Sequence, residues 1–307
     1  MQLIRVIYNI QSKHRNMVLT IGNFDGLHSG HQRILSALTE QAALLDAPSC
    51  VMLFEPQPKE KLIANKKPAR IYNFREKLQI LATLGIDFVL CQPFTEHFRQ
   101  LSAEEFICDV LIKKLEIQHL IIGDDFQFGC DRKGNFNLLH HFSNKFGFTI
   151  QQSSTICCET ERVSSSKIRQ LLKEANFSAA NKLLGRPFRL SGRVIKGNEL
   201  GQTIGVPTAN LHIKRHELPI NGVFAVRVYG LDKPYFAVAN AGIKPTVSGT
   251  GPSFEVHILN FEGNLYGKLL TVELLEKIRD EKRFSSLPVL KQAIEQDILT
   301  VKQRFAV

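Results

Sequence analysis

Two imidazoles three residues apart, His28 and His31, stand in the stretch GNFDGLHSGH (22–31), interleaved with Gly22, Gly26 and Gly30. Glycines strip side chains from such a stretch and let backbone approach a ligand closely. The stretch follows the apolar run VLTI and precedes a helical pattern beginning near Gln32. A turn so placed offers free N–H groups to a phosphate at the carboxyl end of a strand. Histidine donors there can answer the negative charge that gathers on a phosphate undergoing substitution. The spacing matches neither the dinucleotide pattern GxGxxG nor the phosphate loop GxxxxGKS/T, so neither hydride transfer nor ordinary ATP hydrolysis is indicated. The plainer alternatives are a metal pair, for which only Asp25 lies close in sequence as a further ligand, and two solvated histidines.

Three further stretches carry candidate chemistry. In SSSKIRQLL (164–172), the hydroxyls of Ser164 and Ser165 open a helix beside Lys167 and Arg169, a set that can clamp a polyphosphate; taken alone, it is also an ordinary helix start. In GRVIKGNELGQTIGVPTANL (192–211), Gly192, Gly197, Gly201 and Gly205 punctuate a loop before Thr208 and Asn210. A hydroxyl and an amide carbonyl two residues apart face one side of an extended strand and can hold a hard cation. A tight barrel corner explains the glycine spacing comparably well. Glu255, between Phe254 and Val256, points away from its apolar neighbours on a strand, as a merely solvated glutamate would also do.

Two kinds of framework must position these residues. From Val18 to about Ser153, short apolar runs (VLTIG, CVMLF, DFVLC, HLIIG) alternate with segments of helical period, the pattern of an α/β doubly wound parallel sheet. Ser102 and Glu105 have the spacing of a capping box, and Gly85 closes the helix before it. After two more helical stretches the pattern changes at Gly185-Arg186-Pro187. Six short, turn-separated runs from RLSGRVIKG to LLTVELLEKI then predict a mainly antiparallel β-barrel, followed by a C-terminal helix over about 287–304. The expected domains are therefore 1–185 and 186–307.

A chain of 307 residues, 44% hydrophobic and 22% charged, has the composition of a globular protein with room for two cores. Its net charge of +10 suits nucleic acid, a membrane surface or small polyanions such as nucleotides. The first residues are broken by Arg5, Asn9 and Gln11 before a secretory core forms, and no apolar run is long enough for a bilayer, which predicts a cytoplasmic protein with no membrane partner. The six cysteines contain no CxxC pair and read as reduced, mostly buried thiols.

The stretch GNFDGLHSGH resembles the signature of the HxGH nucleotidyltransferases in the form used by bacterial FAD synthetases, and FEPQP (54–58), GDDFQFG (123–129) and SSSKIRQLL agree in order and spacing. The resemblance implies that His28 and His31 stabilise the triphosphate during adenylyl transfer, with Gly22, Phe24, Asp25, Gly26 and Gly30 around the nucleotide. It implies that Ser164, Ser165, Lys167 and Arg169 hold the pyrophosphate side. Asp125, with Phe126 and Phe128, would line the nucleotide and flavin pocket. The second half resembles the riboflavin kinase domain through GVPTAN, NAGIKPT (240–246), FEVHILNFEGNLYG (254–267) and the segment 278–297. There the resemblance implies Mg2+ on Thr208 and Asn210, Glu255 as the base toward the ribityl 5′-hydroxyl, a nucleotide-covering loop at Gly197, Gly201 and Gly205, and flavin contacts from Asn240 and Arg279. Gln57, Gln202 and Asn260 stand where the families commonly carry histidine, arginine and aspartate. The expected function is phosphorylation of riboflavin to FMN and adenylylation of FMN to FAD, with ATP, riboflavin and FMN as small-molecule partners and no specific nucleic acid. The alternatives are a flavin- or RNA-binding regulator that kept the fold, and an enzyme with one active half.

Overall fold

The computed structural model describes residues 1–62, 68–153, 157–158, 161–197, 205–246 and 249–306. They form two compact units, Met1–Pro68 with Phe74–Ser164 and Ala69–Asn73 with Ser165–Val307.

The first unit is built on β1 (Gln2–Arg5), β2 (Val18–Ile21), β3 (Ser49–Phe54), β4 (Phe88–Gln92), β5 (His119–Gly123) and β6 (Thr149–Ser153). All neighbours are parallel, in the order β1-β4-β3-β2-β5-β6. The inner strands are apolar on both faces because both are covered. Leu19, Met52, Leu90 and Leu120 pack on one side with Phe106, Ile107 and Leu139. Val18, Val51, Val89 and Ile121 pack on the other with Leu35, Leu38 and Leu81. The covering helices include α1 (Ser29–Leu44), short α2 (Pro58–Leu62), α3 (Phe74–Thr83), α4 (Glu96–Gln100), α5 (Ala103–Glu105) and α6 (Phe136–Phe146). A small hairpin joins β7 (Cys157–Cys158) to β8 (Glu161–Arg162).

The hydrophobic pattern anticipates β2 to β5. It misses the edge strands β1 and β6, whose short runs carry mostly exposed or half-buried residues. The capping box forms as its spacing requires: Ser102 Oγ accepts from the Glu105 N–H at 3.1 Å, and Glu105 returns a carboxylate oxygen to the Ser102 N–H at 2.8 Å. One turn later the helix widens into a π-helix over Phe106–Lys114, which sequence periodicity does not distinguish from α. Cys50 and Cys91 are buried thiols, and burial pushes the Cys50 group up to about 12, which leaves it inert.

In the second unit β9 (Arg189–Ile195), β10 (Ala209–His212), β11 (Gly222–Tyr229), β12 (Tyr235–Thr246), β13 (Gly249–Ile258) and β14 (Leu269–Arg279) close an antiparallel barrel in the order β10-β13-β12-β11-β14-β9. Phe188, Phe224 and Phe254 are among its largest fully buried side chains. The C-terminal helix α9 (Leu287–Phe305) lays Val301 on Val223, Ala225 and Val238, which fixes that side of β11 and β12 as the outer face of the barrel. Helices α7 (Ser165–Lys173) and α8 (Phe177–Leu184) belong to this unit. Asn176 caps α8, Gly185 closes it at φ 68°, and Asn181 Oδ1 accepts from the Phe188 N–H at 2.7 Å, which ties the helix to the start of β9.

Phe177 of α8 is 3% exposed and meets the Phe224 ring edge-on at 5.8 Å between centroids. Phe177→Ala should therefore destabilise the second unit by about 3 kcal/mol in urea unfolding. A change below about 0.5 kcal/mol would mean that α8 is not part of its core.

Candidate active site

In the first unit the chain leaves β2 toward its neighbour β3 on one side, while β5, on the other side of β2, leads outward to β6. The strand order therefore reverses between β2 and β5, and ligands of open α/β sheets collect outside the carboxyl ends at such a point. The loops there are the ones singled out by sequence, 22–28 after β2 and 123–129 after β5. Gly26 turns the first loop at φ 83°, and Phe24 and Leu27 are held at φ 45° and 44°. Those conformations cost a side-chain-bearing residue energy, which the near-complete burial of both side chains offsets. Asp25 is buried in the same loop.

His28 is the N-cap of α1, and its Nδ1 accepts from the His31 N–H at 3.4 Å. That bond directs the ring proton of a neutral His28 to Nε2 as a donor. The His28 and His31 rings stack with centroids 3.6 Å apart and planes 19° from parallel, and Phe24 lies 5.1 Å from His31. Gly30 allows the stack, since a Cβ there would sit 3.2 Å from His28 Cε1 and Nδ1. Helix N-terminal N–H groups and two imidazoles thus meet at one point, an arrangement suited to an anion. No group of three or more His, Cys, Asp or Glu side chains suited to a metal ion occurs among the described residues.

A residue that the sequence reading missed supports this loop. Lys77 of α3, 1% exposed, donates its ammonium to the Asn23 carbonyl at 2.7 Å. A buried charge demands such a partner, and a lysine four residues before the buried Leu81 on the same helix face was the available signal.

At the end of β5, Asp124 and Asp125 are exposed and face Arg162 at 3.5 and 3.1 Å. Phe126 keeps partial exposure and stacks at 5.5 Å on the buried Phe128. At the end of β3, Gln57 is buried with its backbone N–H on Glu60 at 3.0 Å. Ser164 is the last residue of the first unit, whereas Ser165, Lys167 and Arg169 lie on α7 of the second, where Arg169 Nε donates to the Ala69 carbonyl at 2.8 Å.

The second unit gathers its candidates by strand register. Asn210 of β10 pairs with Glu255 of β13, and Glu255 pairs with Asn240 of β12. Opposed residues of antiparallel strands share a face, so the three polar side chains form one row on the outer face of the barrel, while Ala209, Phe254, Val256 and Ala239 alternate inward. The Asn240 Oδ1 is buried without a hydrogen-bond partner. A Cβ on Gly197 would overlap the Asn210 amide, so only glycine lets the loop after β9 lie against that side chain. His257, also missed by the sequence reading as an individual residue, donates from Nδ1 to the Pro207 carbonyl at 2.8 Å and fixes the turn that carries Thr208. Lys244 of β12 forms an ion pair with Glu255. Gly205 takes φ 81° before that turn, and Gly201 lies outside the described residues. The row continues through Val223 to Arg279, whose fork grips Asp297 of α9 at 2.8 and 2.9 Å.

A family model described as FAD synthetase matches residues 10–167, and one described as riboflavin kinase matches 184–305. The chain is 47% identical to a bifunctional riboflavin kinase/FMN adenylyltransferase of Escherichia coli over 99% of its length and 98% of the relative's. The chain belongs to the bifunctional riboflavin kinase/FMN adenylyltransferases. Relatives of the same description in Pseudomonas fluorescens and Haemophilus influenzae are 46% and 42% identical, covering 98% and 99% of this chain and 97% and 99% of the relatives. A solved structure described as a macrolide-efflux protein from Streptococcus pneumoniae shares the architecture, with TM-score 0.81 at 30% identity over 98% of both chains. No helix among the described residues is long and apolar enough to cross a membrane.

For this bifunctional kinase and adenylyltransferase, the donor set around β10 fits a magnesium ion. Thr208 and Asn210 supply neutral oxygens, and the bare Gly197 backbone leaves beside the Asn210 amide a space that a Cβ would fill. Mg2+ favours such hard oxygens together with substrate phosphates. Gly197→Ala should then lower kinase kcat/KM by roughly 10- to 100-fold by displacing the Asn210 amide. Adenylylation of FMN by the same variant should stay unchanged, and an undiminished kinase would show that the amide position is unimportant.

Proposed function

We propose that residues 1–185 carry FMN adenylylation and residues 186–307 riboflavin phosphorylation, with the side chains described above in distinct roles. In the kinase reaction the ribityl 5′-hydroxyl oxygen bonds to the γ-phosphorus of ATP as the bond to ADP breaks, and Glu255 takes the hydroxyl proton. Thr208 and Asn210 hold Mg2+, which when bound neutralises phosphate charge. Gly197, Gly201 and Gly205 let the loop lie over the nucleotide, and Asn240 and Arg279 contact the flavin, Arg279 from the end of β14 where Asp297 of α9 anchors it. The observation that carries this half is the register row Asn210–Glu255–Asn240, which sets an acid–base group beside metal-compatible oxygens on one face.

In adenylyl transfer the FMN phosphate attacks the α-phosphorus of ATP and pyrophosphate departs, so no protein nucleophile is needed. His28 and His31, at the N-terminus of α1 beside Gly30, stabilise the charge that develops on phosphorus oxygens, and Gly22 and Gly26 let the loop backbone come close to the nucleotide. Phe24 and Asp25 shape this loop. Ser164, Ser165, Lys167 and Arg169 hold the pyrophosphate side, and Asp125, Phe126 and Phe128 line the flavin side. The support is the stacked His28–His31 pair at the N-terminus of α1, beside the switch point of the sheet. The setting proposed is the cytoplasm, with small molecules and no specific nucleic acid as partners.

Single substitutions test the division. His31→Ala should stop FAD formation from FMN by roughly 100-fold or more while riboflavin is still phosphorylated, and Glu255→Ala should do the reverse. Chelation of Mg2+ should stop both reactions, with recovery on its return. Loss of both reactions from either substitution, in a folded protein, would contradict the assignment.

A further inference from the structure

We propose that Lys244 is a positioning residue of the kinase site, holding the Glu255 carboxylate at its place in the polar row. This rests on the reading of Glu255 as the base. Lys244 stands four residues beyond Asn240 on β12, opposite Gly251, and the position between, Gly242, is opposite Ser253. These residues share the outer face with Glu255. Gly242 and Gly251 present no side chain, so the lysine can reach back along the strands to its ion pair with Glu255. Ser253 Oγ reaches the same carboxylate at 3.5 Å.

A second carboxylate lies on the same face as the lysine. A Cβ on Gly242 would overlap the Glu281 carboxylate, which accepts from Asn221 Nδ2 at 3.3 Å, so Glu281 lies over Gly242 and its charge acts on Lys244. Burial pushes the Lys244 ammonium below its usual range, the Glu281 charge opposes that shift, and the ion pair itself is made to Glu255. A solvated pair would contribute little, but the Glu255 side chain is only 19% exposed. Its rotamer is therefore set by the ammonium and by Ser253. A carboxylate free to turn would spend less time where it meets the substrate hydroxyl, and loss of that geometry falls on kcat rather than on substrate binding.

The test is steady-state kinetics of the full chain with Lys244→Met, and with Lys244→Gln as a second variant that keeps a polar end. We expect kinase kcat to fall roughly 10- to 100-fold, KM for ATP and riboflavin to change less than about twofold, and FMN adenylylation to be unchanged. Lys244→Arg should restore most of the loss. In a Glu255→Gln background Lys244→Met should cause no additional loss, because the two residues act as one unit. An unchanged kcat, a rise confined to KM, or an equal loss in the Glu255→Gln background would overturn the proposal. If Glu255→Gln itself retained full kinase activity, the base reading would fail. A full loss in Glu255→Gln beside an unaffected Lys244→Met would sink the positioning role alone.

Discussion

A one-residue slip of β13 between its neighbours would turn Glu255 into the packed interior and bring Phe254 or Val256 to the surface. Strand pairing with a side-chain period of two makes such a slip exchange the two faces completely. The second unit cannot tolerate it, since Phe254 and Val256 are 2% and 1% exposed and fill the barrel core. Core packing on one face of β13 thereby dictates chemistry on the other, and the same register delivers Asn210 and Asn240 to the sides of Glu255. Closure of the barrel makes the constraint cooperative, because no strand has a free edge along which to shift.

The first unit reaches its site by a different constraint. Its inner strands are buried on both faces, so polar chemistry can gather only where they end. Reversal of strand order opens that place between β2 and β5. The loop there runs against backbone preference at Phe24 and Leu27, and it is held by their burial from within and by the buried Lys77 ammonium on the Asn23 carbonyl. The result is a turn at which a helix begins with two stacked imidazoles. On the proposed reading, both units supply position and charge to reactions whose nucleophiles belong to the flavin substrates.

Much of this was legible in the sequence, for physical reasons that also mark where reading fails. Apolar runs such as CVMLF announce doubly covered strands, and the alternation around Glu255 announces a strand with one polar face. The pairing of Asn210, Glu255 and Asn240 was hidden, because residues 210, 240 and 255 meet only through long-range register. Lys77 and Lys244 were hidden for a related reason: a lysine in a string of residues looks solvated until its tertiary partner is known. The edge strands β1 and β6 escaped notice because a strand exposed along one side needs little apolar content. Helices α7 and α8 carry the helical period expected of the N-terminal half yet pack into the second unit, a choice made by contacts such as Phe177 on Phe224.

On the proposed reading the flavin substrate attacks ATP directly in both reactions, at γ-phosphorus in one and at α-phosphorus in the other. Isotopic labelling during a single incubation with riboflavin, Mg2+ and ATP reads it most directly. Label placed in the γ-phosphate should appear in FMN and in the flavin-side phosphate of FAD, label placed in the α-phosphate should appear only in the adenylyl part of FAD, and acid-quenched protein should carry neither. Stoichiometric label on the protein, or α-label in FMN, would contradict it.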